Sequence, residues 1–515
     1  MDKFLERRIK KGSGRLMNIL LVNAPSRKNS IVPPLGLLQV GAILEKEGHN
    51  PIIYDPILDD PIVESEGFNR INKLIDEFSP EIIGYGGIAT SYGSVKRFSS
   101  IVKKKSSSII QIAGGPLSSV YDLLLRNAGI DIVVHGEAEV SLPILISRLK
   151  HGHSIENIPG ISFLNRTGDI IKNNPAEQIK NLDELPLPSY HLVDLPRYFR
   201  HIKKSMNLTK VNIGSENSVK EIIEKIGDDD RWIEIITGRG CTHRCLFCYR
   251  HMKGIRYYSA DYVLKHIKFL NKRYGIRGFQ FADELFNGDK DRVYEICDAI
   301  EKSGINIFFT IGGARVDKID KDMIKRLKDV GCIEINYGQE SGSNKILKDY
   351  RKGVTADQNR KITMLTKNMG INCPVQIVIG SPNETNETIK ETIDFLKDVN
   401  GFEYSLNYLI PLPETPIWAY VKEKGLINDV EAYLDKVAEY GGQPLINLTA
   451  MPDMTWKSWR VLIKKEMRLY YLKKSKRFGR YIIEYIMFLL VVRVYPYMPE
   501  RLSNFLKKVV KKFIF

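Results

Sequence analysis

Short apolar runs alternating with helix-patterned segments recur in two series along this chain, and they leave little choice of architecture. The first series runs MNILLVNA (17 to 24), IIYD (52 to 55), EIIGYGG (81 to 87), IIQIAGG (109 to 115) and IDIVVHGEAE (130 to 139). Each run is apolar throughout, not on alternate positions, while the segments between, such as LGLLQVGAILEKEGH, carry apolar residues at helical spacing. Strands buried on both faces and joined through helices belong in a parallel sheet with helices on each side. Residues 17–150 are therefore expected to form a doubly wound, Rossmann-like α/β domain. Its glycines fall where strands end, the place where such sheets bind ligands.

The second series comprises WIEIITG (232 to 238), GFQFADE (278 to 284), INIFFTIGG (305 to 313), CIEINYGQE (332 to 340), CPVQIVIGSP (373 to 382) and EYSLNYLIP (403 to 411). Six strand–helix units at about 30 residues each match three-quarters of an eight-unit barrel. A partial (β/α)6 barrel over 231–425 is the expectation. Residues 151–230, with the Pro-rich NLDELPLPSYHLVDLPRYF and no strong period, read as a linker region. Residues 426–515 read as mostly helical and basic.

Charge and cysteine usage narrow the setting. The 515 residues are too many for one ordinary core. The formal charge is +16, and Thr455 to Phe515 alone holds sixteen Lys/Arg against three acids. Within that tail YIIEYIMFLLVVRVYPYM has a longest charge-free run of eight residues, Tyr485 to Val492. A spanning helix needs about 20 apolar residues, so this segment either lies on a membrane surface or packs as a core helix. The opening MDKFLERRIKKGSGRL has no apolar stretch of the kind a secretory signal needs. Six scattered cysteines make no disulfide scaffold, and a cytoplasmic location is expected, with peripheral membrane contact through the tail.

Three of those cysteines, Cys241, Cys245 and Cys248, sit in the single stretch GRGCTHRCLFCYR. A disulfide would leave one over. Zinc wants four ligands, usually with C-x2-C pairs, and His243 is the available fourth. A four-iron cluster is normally held by four thiolates, so three would leave one iron open for a substrate or cofactor, which suits an enzyme. The stretch follows the first strand of the second series, on the face where barrel enzymes keep their chemistry.

With Phe247 before the third cysteine, the pattern C-x3-C-x-Φ-C resembles that of the radical S-adenosylmethionine enzymes. The resemblance continues at successive strand ends. FADELF is similar to the family's segment for the amino group of S-adenosylmethionine, here Ala282, Asp283 and Glu284. GGAR places Arg315 after the third strand. YGQESGS places Glu340 and Ser341 where the family contacts the ribose and carboxylate of the cofactor. IVIGSPNET resembles G-x-P-x-E-T, with Gly380, Pro382, Glu384 and Thr385. PLPETPIW resembles P-G-T-P except that Glu414 stands for the glycine, a departure that bears on the local backbone. Singly these have plainer readings: Arg315 as an ion-pair residue, Asp283–Glu284 as a helix cap. Together they imply a [4Fe-4S] cluster on Cys241, Cys245 and Cys248, with S-adenosylmethionine beside it.

The first domain resembles the cobalamin-binding domain that precedes the barrel in one large subclass of that family. The carriers are PPLGLLQVGAIL (33 to 44), Asp55, ATS (89 to 91), AGGP (113 to 116) and HGEAE (135 to 139). Cobalamin contacts are thereby implied for Leu35, Gly36, Thr90, Ser91, Gly114, Gly115, Gly136 and Glu137. The D-x-H-x-x-G motif of many cobalamin proteins is absent, so no imidazole from it reaches the cobalt. A Rossmann-like domain binding a nucleotide, or nothing, is the structural alternative.

What the resemblance implies is a C-methyltransferase acting on an unactivated carbon through a 5′-deoxyadenosyl radical and methylcobalamin. Its rivals are cyclising or oxidising members, such as the anaerobic magnesium-protoporphyrin cyclase group. Methylthiotransferases carry further cysteines in their first domain, and residues 1–240 have none. A zinc module binding nucleic acid through the tail meets poor zinc spacing and no aromatic–basic interleaving, so no nucleic-acid partner is expected. The expected partners are an electron donor such as flavodoxin or ferredoxin and a small-molecule, lipid or peptide substrate, the basic tail favouring a lipid.

Overall fold

The structure, a computed structural model, describes residues 16–26, 31–59, 64–199, 231–250, 252–438 and 444–475, with Gly479 and Ile482. The amphipathic tail expected over 481–498 lies outside the described residues, apart from Ile482. Among the described residues no helix is long and apolar enough to cross a membrane.

The first series folds as β1 (Asn18–Asn23), α1 (Leu35–Lys46), β2 (Asn50–Tyr54), α2 (Glu64–Phe78), β3 (Ile82–Gly86), α3 (Tyr92–Lys105), β4 (Ile110–Gly114), α4 (Tyr121–Asn127), β5 (Ile132–Val134) and α5 (Ala138–His151). The strand order is β2-β1-β3-β4-β5, all parallel. Successive side chains of a strand face opposite ways. Ile19 and Leu21 accordingly pack with Leu142, Leu145 and Leu149 of α5 on one face. Leu20 and Val22 pack with Val95, Phe98 and Val102 of α3 on the other. Both faces are buried, which is why the strands read as continuous apolar runs. The order reverses between β1 and β3, and such a switch point opens a crevice at the strand ends.

Part of the region read as a linker, 151–230, is sheet instead, and its residues 200–230 lie outside the described residues. Within it β6 (Ile161–Leu164) and β7 (Ile170–Lys172) form a hairpin that extends the sheet antiparallel from β5. These strands are four and three residues long and flank a polar turn, too brief to show a period. Asn165 closes that turn, its side-chain oxygen accepting from the Thr167 and Asp169 amides.

The second series gives β8 (Arg231–Ile235), a small hairpin of β9 (Gly238–Gly240) and β10 (Ile255–Tyr257), then α6 (Ala260–Tyr274), β11 (Ile276–Phe281), α7 (Lys290–Ser303), β12 (Phe308–Ala314), α8 (Lys321–Asp329), β13 (Cys332–Glu340), α9 (Asn344–Asp349), α10 (Ala356–Asn368), β14 (Val375–Ile379), α11 (Asn386–Asp398), β15 (Tyr404–Tyr408) and α12 (Pro416–Glu423). Its six-stranded sheet runs β8-β11-β12-β13-β14-β15, parallel throughout and in chain order, as a partial barrel must. Phe279, Phe281, Phe309, Ile311 and Ile335 point outward under the helices and are buried. The opposite face differs from a packed barrel interior. Glu234, Gln280, Thr310 and Glu334 stand in one register across four strands, making a polar, incompletely buried inner wall.

Two later helices tie the halves together. On α13 (Val430–Ala438), Glu431 accepts from Tyr92, Lys96 and Asn127 of the first sheet's helices. On α14 (Asp453–Lys474), Trp456, Trp459, Ile463 and Met467 are buried against β14, β15 and α11. Burying each such large side chain contributes about 2–3 kcal/mol, so the basic helix is anchored by its apolar stripe.

A candidate active site between two sheets

The carboxyl ends of the first sheet face the mouth of the barrel across a cavity of about 490 Å³. Leu35 and Gly36 of α1, Gly114 and Gly115 at the end of β4, and Gly136 and Glu137 after β5 line one side. Gly238, Arg239, Gly240, Ala282 and Glu284 line the other. Parts predicted separately from two series thus border a single space.

The first side fits a bulky planar ligand. A Cβ built on Gly36 or Gly136 meets nothing within 4 Å, so internal packing does not demand glycine there. The missing side chains leave room on the cavity side. Gly136 also has φ +72° and Gly115 φ +71°, a backbone open to glycine at little strain. Thr90 and Ser91 are buried at the end of β3 but do not line the cavity. Ser91 donates to the Ala24 carbonyl at 2.8 Å, while the Thr90 hydroxyl has no partner among the described residues. Asp55 is likewise engaged locally, accepting from Asn23 at 3.0 Å and from Tyr198 at 2.5 Å.

The cysteine loop is the turn of the β9–β10 hairpin. None of the six cysteines is disulfide-bonded. Cys245 is buried and Cys248 exposed, and the Cys248 amide donates to the Cys245 carbonyl at 3.3 Å. A hydrogen bond from the Cys248 thiol brings Cys245 down to about 6 against the pull of burial, with the Lys352 and Arg315 cations helping. Cys248, as the donor, is pushed up. Burial raises the Cys241 thiol as well, so of the three only Cys245 leans toward the thiolate that iron ligation uses. Among the described residues no three His, Cys, Asp or Glu side chains gather closely enough for one metal ion. A four-iron cluster asks for something else: each thiolate takes a different iron, and the sulfurs need only border one space.

Around the loop the sequence-selected residues divide. Ala282 and Glu284 reach the cavity, and burial raises the Glu284 carboxyl above its usual range. Phe247 packs edge-on against Tyr350, ring centroids 5.2 Å apart. Arg315 is buried, bound to Asp317 at 2.8 Å and to the Lys352 carbonyl at 2.6 Å. Glu340 has a left-handed backbone, φ +62°, and pairs with Lys352 at 3.3 Å. That pair lies over Gly338, where a Cβ would stand 2.6 Å from Glu340 and 2.8 Å from Lys352. The three cysteines, Phe247, Arg315 and Glu340 do not line that cavity, and two further residues are committed to internal bonds. Asp283 accepts from the Thr237 and Gly238 amides at 2.6 and 3.0 Å and from the Thr237 hydroxyl, bracing the strand before the cysteines. Ser341 is buried with its hydroxyl on Thr392 at 3.1 Å.

Other residues emerge only in three dimensions. Lys352, in the unremarkable run YRKGVT, is a buried cation beside Cys245. Glu384 folds back onto the amides of Gly380 and Ser381, and burial lifts its carboxyl to about 8. Glu414 keeps φ +63°, the left-handed backbone that the family's glycine would favour. It accepts from Tyr249, which follows Cys248 directly and also bonds Ser118 beside the Gly114–Gly115 turn. Glu137 is almost wholly enclosed by Arg239, Arg256 and the Ile179 amide; burial raises its carboxyl, but those donors outweigh it and hold it below the usual range.

Comparison with known proteins agrees with this division of labour. Residues 27–146 match the B12 binding domain family and residues 235–396 the radical SAM superfamily. An uncharacterized methyltransferase of Pyrococcus horikoshii is 27% identical over 424 residues, spanning 80% of this chain and 85% of that protein. The anaerobic magnesium-protoporphyrin IX monomethyl ester cyclase of Synechocystis sp. is 28% identical over 367 residues, spanning 69% and 67%. Among solved structures, the radical S-adenosylmethionine methyltransferase TsrM from Kitasatospora setae, with cobalamin and a [4Fe-4S] cluster, superposes with a TM-score of 0.64. It is 19% identical, with 80% of this chain and 78% of that one covered. The cobalamin-dependent radical enzyme OxsB, with aqua-cobalamin and S-adenosylmethionine, gives 0.60 at 21% identity, covering 97% and 71%. These two likenesses establish the fold. The matched domains, in this order and around one shared cavity, place the chain among the cobalamin-dependent radical S-adenosylmethionine enzymes, with a [4Fe-4S] cluster, S-adenosylmethionine and cobalamin as its cofactors.

Proposed function

We propose that this enzyme transfers a methyl group to an unactivated carbon of a small-molecule substrate. The observation that carries the reading is the single cavity bordered by both the glycine turns of the first sheet and the cysteine hairpin of the barrel. When bound, the cofactors supply reductive cleavage of S-adenosylmethionine and a transferable methyl group, with electrons from a donor such as flavodoxin or ferredoxin. The chain's own work is to bind, orient and exclude water. Cys241, Cys245 and Cys248 would hold the cluster. Ala282, Glu284, Arg315 and Glu340, with Phe247 and Lys352, would seat S-adenosylmethionine beside it. Leu35, Gly36, Gly114, Gly115 and Gly136 would flank the corrin. Burial of Arg315 and Lys352 keeps their charge from being screened by water, so each acts strongly on a neighbouring anion.

The cyclase relative, at nearly the same identity as the methyltransferase but over a shorter span, supports a second reading in which the substrate is cyclised or oxidised without methylation. One experiment separates the two. The chain is purified without oxygen, reconstituted with iron, sulfide and hydroxocobalamin, and given S-adenosylmethionine and a reductant. Methyl transfer predicts both 5′-deoxyadenosine and S-adenosylhomocysteine, with the former lost in Cys245→Ala. Deoxyadenosine alone would favour the cyclase-like reading, and neither product would overturn both.

A further inference from the structure

Two arginines face each other across the hairpin that carries the cysteines: Arg239 on β9 is paired in register with Arg256 on β10. Like charges directly opposite on neighbouring strands repel, so this arrangement needs an anion between them. The anion comes from the other half of the molecule. Glu137 follows Gly136 at the cavity wall, and its two oxygens accept from Arg239 and from Arg256, each at 2.8 Å. The second oxygen also accepts the Ile179 amide at 2.8 Å, and Glu139 takes another Arg239 nitrogen at 2.7 Å. The Glu137 side chain is 1% exposed. Buried ion pairs of this kind add little net stability, because desolvation offsets most of the attraction. Their value is geometric: several charge-assisted bonds permit one arrangement only.

Resting on the family reading above, we propose that Glu137 is a positioning residue that clamps both strands of the cysteine hairpin to the glycine turn of the corrin site, so that filling one site stiffens the other. The lever is short. Gly136, against which a corrin would lie, is bonded to Glu137, and Arg239 stands two residues before Cys241. The sequence motif containing Glu137 suggested a direct cofactor contact, but its carboxylate is committed to the two arginines.

The test measures iron loss from the reconstituted full chain to a ferrous chelator, with and without hydroxocobalamin. Iron content and corrin absorbance are recorded alongside. In the unsubstituted chain, cobalamin should slow iron loss by about five-fold or more, the lower range of ordinary site-to-site coupling. In Glu137→Gln that ratio should fall to near one while iron and corrin are still taken up. Arg256→Gln provides the same reading from the hairpin side should the first variant fail to fold. A merely structural role would speed iron loss equally with and without cobalamin, and an unchanged ratio in the variants would overturn the clamp. So would the absence of protection in the unsubstituted chain. A chain that takes up neither iron nor corrin would instead overturn the family reading, and the clamp with it.

Discussion

Glu414 shows how a single residue can depart from a family pattern and keep its geometry. A non-glycine residue with left-handed backbone is disfavoured by roughly 1–2 kcal/mol, yet Glu414 holds φ +63°. The compensation is its bond to Tyr249; the Glu414 carboxylate is exposed, so water holds this charge-assisted bond to about 1 kcal/mol. Glu414→Gly should therefore be nearly neutral in thermal stability, losing the bond but relieving the strain. Glu414→Ala keeps the strain and loses the bond, so it should be destabilised by about 1 kcal/mol. Tyr249→Phe should weaken the chain more in the Glu414 background than in the Glu414→Gly background, where only its bond with Ser118 is left to lose. Equal losses for the glycine and alanine variants would contradict this account. At this scale the sequence was informative about identity and poor on direction. Ala282 and Glu284 line the cavity, and the three cysteines lie in the turn of the hairpin whose strands border it. Asp283 and Ser341, beside them, turn inward, and nothing in FADELF or ESGS distinguishes a carboxylate or hydroxyl facing a cavity from one bracing its own strand.

Elements were legible in proportion to their length. The five parallel strands of the first sheet and the six of the barrel follow from apolar runs and helical spacing. The hairpins β6–β7 and β9–β10 do not, because strands of three or four residues carry no period, and what defines them is pairing with partners already in place. Helix α6 shows a consequence of burial that the sequence also hides. It begins at Ser259, whose hydroxyl oxygen accepts from the Tyr262 amide at 3.1 Å, and ends at Gly275 with φ +66°. Its His266 lies on the buried side, 3.0 Å from the Tyr190 hydroxyl at the cavity wall. Burial lowers its pKa from 6.5 to about 4. The unfolded chain takes up this proton as pH falls through about 6.5, whereas the folded chain resists until about 4. The stability His266 allows is thus full above that upper value and declines as pH falls toward the lower one, by up to about 3 kcal/mol. Thermal midpoints between those pH values should fall more gently in His266→Gln, and parallel slopes for the two proteins would count against it.

Across the whole molecule, function depends on contacts that no local pattern announces. Glu137 meets its arginines 102 and 119 positions away in the chain, and Glu431 reaches back 339 positions to Tyr92. The sequence identifies two sheets and two cofactor chemistries; only folding brings them to opposite walls of one cavity. The first wall is kept open by glycines that packing does not require, and the second by a hairpin whose turn carries the cysteines. The two loadings should therefore be separable by substitution. Gly36 is the cleanest lever, since it lies in the first turn of α1 with nothing within 4 Å of a Cβ, and a leucine there adds bulk toward the cavity without backbone strain. The most direct measurement is iron and cobalt per chain after anaerobic reconstitution, made on the unsubstituted protein, Gly36→Leu and Cys245→Ala. The account predicts about four iron and one cobalt in the first, cobalt lost with iron kept in the second, and iron lost with cobalt largely kept in the third. Zinc in place of iron, or cobalt uptake unaffected by Gly36→Leu, would contradict it.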